Sequence, residues 1–136
     1  MLILNSIFTF SQHFGDTIVS NNPSKTKVKV YYFHITERCH TCYSIEANVR
    51  KTLLENFKTE LNNGTIDLYI LNSDKIENLT LVKKYEAYGS TLAITVYDNS
   101  KELQTEDLSN WAFQKASKPD DFVKELKVKL TDIIKK

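Results

Sequence analysis

Tyr31-Tyr32-Phe33-His34-Ile35-Thr36-Glu37-Arg38-Cys39-His40-Thr41-Cys42 is the stretch on which the fold turns. An apolar, β-rich run enters a polar turn, and the turn delivers two cysteines to the start of a helix. They are the only cysteines of the 136-residue chain. Spaced i, i+3 in a first helical turn, they share one face and lie within reach of a small disulfide ring. Amides at a helix N-terminus lack intrahelical partners and together carry about half a positive charge, which favours a thiolate on Cys39 over its thiol. That contribution is worth about 1 kcal/mol, or about one pKa unit. Arg38 pushes the same way and Glu37 opposes it. Cys39 is therefore the expected attacking thiol, and Cys42, deeper in the turn, the resolving one.

Working outward, strand and helix patterns alternate. Val28, Val30, Tyr31, Phe33 and Ile35 form a nearly continuous apolar run, as in a central strand covered on both faces. Ile45, Val49, Leu53, Phe57 and Leu61 recur at four-residue steps and predict one helix over 41–61, closed by a left-handed Gly64. A second strand is expected over 65–71. A second helix is expected over 74–88, burying Ile76, Leu79, Val82 and Tyr85 and stopped by Gly89. A third strand, 91–97, turns at Asp98-Asn99-Ser100 into a fourth near 101–108. Pro119 opens a last helix with Asp120 and Asp121 at its positive end and Phe122, Leu126, Leu130 and Ile133 as its buried stripe. The order is β-α-β-α-β-β-α, an α/β fold.

The composition sets bounds on function. With 41% apolar and 26% charged residues and a formal charge of +1, the chain reads as one globular domain. Its charges are interspersed, with no basic stripe, so nucleic acid is not an expected partner. Two cysteines make no disulfide scaffold, and there is no Gly-rich phosphate loop, so no organic cofactor is expected. Residues 1–26 carry two readings. Ile3, Ile7, Phe10, Phe14 and Ile18 fall at helical spacing, as in a helix or strand packed on the domain. The alternative is the remnant of a signal or anchor, although the first lysine is Lys25 and no membrane span is expected of the domain. Ser20 to Ser24 reads as a linker, and the domain proper runs over 27–136. Both cytoplasm and cell envelope are compatible with this pattern.

The element order, with a cysteine pair opening the helix after a central strand, resembles the thioredoxin superfamily over Lys27 to Lys136. Four blocks resemble more closely the nitrophenyl compound nitroreductase subunits of the ArsF type. They are Val30-Tyr31-Tyr32-Phe33-His34, Arg38-Cys39 with Thr41-Cys42, Lys84-Tyr85-Glu86-Ala87-Tyr88-Gly89-Ser90, and Trp111-Ala112-Phe113. The resemblance implies a thioredoxin-like fold, a central mixed sheet flanked by helices, in a bacterial redox protein that passes electrons to or from another protein. It also implies an accessory place beside a reductase of nitroaromatic arsenicals. Three departures stand out. Arg38 replaces the usual tryptophan, and His40-Thr41 fills the Cys-x-x-Cys pair in place of Gly-Pro. With only Pro23 and Pro119 in the chain, Ser90 takes the place of the family's cis-proline. In the family that loop receives the client and screens the thiols, so Ser90 and Thr91 are the implied substrate-binding residues. The family's buried acid is also missing, since Phe33 stands there, leaving His34, Glu46, His40 or water to move protons.

The expected activity is thus thiol–disulfide exchange by Cys39 and Cys42, by a monomer working with a protein redox partner or disulfide client. Two alternatives stay open: a dithiol that binds a soft metal or trivalent arsenical, and an interaction subunit that keeps the fold without catalysis. A closed zinc site needs four ligands and only His34 or His40 lies near, so no resident metal is expected. For other residues the plainer reading is preferred. His34 is read as a buried, hydrogen-bonded core residue, Glu46 as a solvated carboxylate, and Trp111 and Phe113 as core or loop anchors.

Overall fold

The apolar run around Tyr32 forms the middle strand of a five-stranded mixed sheet in a computed structural model, which describes residues 17–19 and 23–136. The strands are β1 (Thr17–Ile18), β2 (Val28–His34), β3 (Ile66–Asn72), β4 (Thr91–Asp98) and β5 (Lys101–Asp107). Their order is β1-β3-β2-β4-β5. β2 runs parallel to β3 and antiparallel to β4, so it is flanked on both edges, and both of its faces are covered. Side-chain alternation sorts its residues. Val28, Val30 and Tyr32 enter the larger core, whereas Tyr31 and Phe33 enter a smaller aromatic core on the opposite face.

The larger core lies beneath α1 (His40–Asn56), α2 (Lys58–Asn63), α4 (Ser109–Lys115) and α5 (Pro119–Lys135). The smaller one lies beneath α3 (Leu79–Tyr85), where Tyr31 stacks on Tyr69 with ring centroids 4.5 Å apart. This is the expected α/β fold, a central mixed sheet flanked by helices. Most of the reading of residues 1–26 falls outside the described residues. Of that segment, Thr17–Ile18 pairs antiparallel with β3, and Pro23–Lys25 forms a 3-10 turn. Among the described residues no helix is long and apolar enough to cross a membrane.

Several expectations need correction. The single helix over 41–61 is two. Five apolar residues at four-residue steps drift by about 40° per step around a helix of 3.6 residues per turn, so one straight rod cannot bury them all. The chain leaves helical geometry at Phe57 (φ −130°, ψ 32°), and all five side chains are then buried. Gly64 closes α2 in the left-handed conformation at φ 86°, as expected.

The second helix is also shorter than expected. It runs from Leu79 to Tyr85 behind a 3-10 turn at Ile76–Asn78, and its stop is Glu86, not Gly89. Glu86 is left-handed at φ 52°. Its N–H donates to the Lys83 carbonyl, and the Ala87 N–H donates to that of Val82, a Schellman closure completed by burial of Val82 against Ala87. Ile76, in the 3-10 turn, and Leu79, at the first position of the helix, were expected in the core but are exposed. The hairpin at Asn99-Ser100 has both residues left-handed (φ 50° and 69°), the two-residue turn that matches strand twist. Helix α4 is a further difference, since the sequence pattern offers only anchoring aromatic residues there. Ala112 and Trp111 pack onto the core there, with Trp111 against Phe122, but Phe113 is exposed.

Candidate active site around Cys39 and Cys42

The cysteines stand where the β2–α1 connection becomes a helix. Cys39 is the N-cap of α1, extended at φ −94° and ψ 169°, and its carbonyl accepts the first helical bond from the Tyr43 N–H. Its sulfur accepts the Cys42 N–H at 3.2 Å, so the thiol occupies the place usually taken by a serine or aspartate oxygen. The connection itself is tied down. The Thr36 N–H donates to Asp74 Oδ2 at 2.8 Å, Asn72 Nδ2 donates to Thr36 Oγ1, and the Ser73 N–H donates to the His34 carbonyl. The Thr36 N–H in turn holds the Asp74 carboxyl below its ordinary range.

The two sulfurs are free thiols 2.6 Å apart. Cys39 is exposed and Cys42 is buried at 8% relative exposure. The Cys42 thiol, hydrogen-bonded to Cys39, is the largest influence holding Cys39 below the ordinary thiol range. The Cys42 backbone N–H acts in the same direction. The direction is the expected one and the amides of the helix start contribute as expected, but Arg38 is engaged elsewhere. It pairs through Nη2 with Glu46 Oε1 and lies over the Tyr43 ring, 4.5 Å from its centroid.

Glu46 is not the solvated carboxylate expected. Its side chain is 15% exposed, and Arg50 takes its second oxygen through Nε at 2.7 Å and Nη2 at 2.6 Å. Both carboxylate oxygens are thus taken up by guanidinium groups, which leaves Glu46 turned away from the dithiol chemistry as an anchor for Arg38 and Arg50. His40 is exposed at the first position of α1. His34 is half-buried, with Nδ1 3.2 Å from the Ile35 carbonyl oxygen and its ring 6.3 Å from that of Tyr32. Ser90 is half-buried, and among the described residues every peptide bond, that of Ser90 included, is trans. Thr91 is buried, with its hydroxyl on the Gly89 carbonyl at 3.0 Å.

One polar group at this site escaped the sequence reading. Tyr32, fully buried, donates from its hydroxyl to the Cys42 carbonyl at 3.0 Å and lies 2.6 Å from Ser90 Oγ. Burial pushes its pKa up to about 12. The available signal was a phenol amid the apolar residues of a central strand, since a buried hydroxyl requires a partner. Among the described residues no group of three or more His, Cys, Asp or Glu side chains converges as a metal site would require.

No protein-family model matches the chain, and no curated protein matches it. Among solved structures the chain is similar to the oxidised form of mitochondrial thioredoxin 3 from Saccharomyces cerevisiae. The identity is 13%, the match covers 68% of this chain and 78% of that one, and the TM-score is 0.42.

Proposed function

We propose that this protein is a thiol–disulfide oxidoreductase, on the observation that an exposed N-cap thiol lies 2.6 Å from a buried partner thiol. Cys39, as thiolate, attacks one sulfur of a client disulfide. A Cys39–client bond forms, and the other client sulfur leaves and takes up a proton. Cys42 then loses its proton and attacks the Cys39 sulfur. The intramolecular disulfide forms, and the second client sulfur departs as a thiol. Two electrons and two protons pass to the client, and a protein donor returns them by the reverse steps. The chain acts as a monomer, and the client approaches past Ser90, with the Thr91 side chain buried behind it.

Reduction of insulin by the dithiol-reduced protein tests this. Activity is expected in the wild type, loss in Cys39→Ser, and a trapped mixed disulfide on Cys39 in Cys42→Ser. Activity unchanged in Cys39→Ser would overturn the reading. The reduction potential then assigns direction, a strongly reducing value marking a reductase and a high one an oxidase.

A second reading draws on the openness of the pair, since Cys39 is exposed and no proline faces it. Two adjacent soft ligands suit a trivalent arsenical. Stoichiometric arsenite uptake that needs both thiols, without insulin reduction, would favour capture over exchange. The finer role beside a reductase of nitroaromatic arsenicals rests on the sequence blocks alone. Co-purification with such a reductase, and stimulation of it that disappears in Cys39→Ser, would support that role. Association that survives loss of both cysteines would instead favour an interaction subunit.

A further inference from the structure

We infer that Tyr32 is a positioning residue for Cys42: its hydroxyl, held by Ser90, anchors the Cys42 carbonyl and so keeps the buried sulfur against Cys39. The inference rests on the exchange reading above. A phenol has one proton, and that of Tyr32 goes to the Cys42 carbonyl. In the 2.6 Å contact with Ser90 the serine must therefore be the donor. A directed chain results, from the Ser90 hydroxyl to the Tyr32 hydroxyl to the Cys42 carbonyl, each bond polarising the next.

Packing alone does not call for this hydroxyl. Tyr32 is fully buried in the larger core, whose other β2 members are Val28 and Val30, and phenylalanine fills the next position of the same strand. A hydroxyl placed there costs free energy unless it is bonded. Here both of its bonds go to the neighbourhood of the dithiol. What they achieve follows from disulfide geometry. Closing a bond between two cysteines needs a narrow range of Cα separation and Cβ direction, and Cys42 lies in the first turn of α1, where helices fray. Tying its carbonyl to the central strand removes that freedom. The same tie joins the helix start to the loop at Ser90, so that loop and the resolving cysteine are held as one unit.

Equilibration of the Cys39–Cys42 pair with glutathione reads the closing step directly, whatever the natural client. In Tyr32→Phe the effective concentration of Cys42 toward Cys39 is expected to fall about tenfold, a shift of about 30 mV to a less reducing potential. The lifetime of a glutathione mixed disulfide on Cys39 is expected to lengthen by a similar factor, while alkylation of Cys39 in the reduced protein at about pH 10, where the thiol is ionised whatever its partner, changes less than twofold. Ser90→Ala keeps the bond from Tyr32 to Cys42 and is expected to shift both readings about threefold. It also serves should Tyr32→Phe fold poorly. A wild-type potential and wild-type resolution in both variants would overturn the inference. Failure of the exchange reading is separable, since it would show as absence of insulin reduction by the wild type.

Discussion

At the scale of single residues, the chemistry depends on which group supports the Cys39 thiolate. The helix terminus and Arg38 were the expected sources. In the structure the helix start does contribute, through the Cys42 and Thr41 amides, but the Cys42 thiol is the larger influence and Arg38 serves Glu46 and Tyr43 instead. This has a pH consequence with a definite sign. A lowered pKa means that the thiolate survives to lower pH, so alkylation of reduced Cys39 by iodoacetamide should reach half its maximal rate below the ordinary value of about 8.5. Cys42→Ala removes the largest lowering influence and should move that midpoint upward. Rates measured by mass spectrometry across pH 5–10 check this, and identical midpoints in the two proteins would contradict it. Glu46 was misread because its partners are not all local. Arg50 stands four residues away, a spacing the sequence shows, but Arg38 reaches it only through the turn into α1.

At the scale of elements, the differences lie where a local rule met a tertiary demand. Helix α1 stops at Asn56 because burial of Phe57 and Leu61 outweighs helical continuity. Helix α3 stops at Glu86 because Ala87 has to return to Val82. A glutamate pays for that return with left-handed geometry, which costs a residue bearing a Cβ about 1 kcal/mol. Glu86→Gly is therefore expected to stabilise the protein by about 1 kcal/mol, part of it offset by the freedom glycine adds to the unfolded chain. Urea denaturation measures the change, and destabilisation would show that the Glu86 side chain contributes something the backbone geometry does not reveal. Where the turn chemistry is local, at Gly64 and at Asn99-Ser100, the expectation and the structure agree.

At the scale of the molecule, a mixed sheet separates two unequal cores, and the candidate site opens where β2 of that sheet runs into α1. The larger core carries most of the aliphatic burial. Leu126→Ala, in α5, removes a fully buried side chain and should cost about 3 kcal/mol. Ile76→Ala is the contrasting case. Helical periodicity put Ile76 in the core, yet it is 80% exposed, and its truncation should change stability by less than about 0.5 kcal/mol. Paired denaturation curves decide between the pattern and the packing, and a loss above 2 kcal/mol for Ile76→Ala would favour the pattern.

Taken alone, the sequence determined the succession of strands over 27–136, the presence of helical segments after β2, after β3 and at the end, the hairpin, the glycine cap and the placing of both cysteines at a helix start. Each of these follows from periodicity or turn chemistry within a few residues. Only the tertiary structure decided that Glu46 is closed off between two arginines and that the Tyr32 hydroxyl meets Ser90 across 58 positions of chain. The physical reason is range. Propensity and patterning act between neighbours, whereas a hydrogen bond in a core depends on which distant segments the sheet brings side by side.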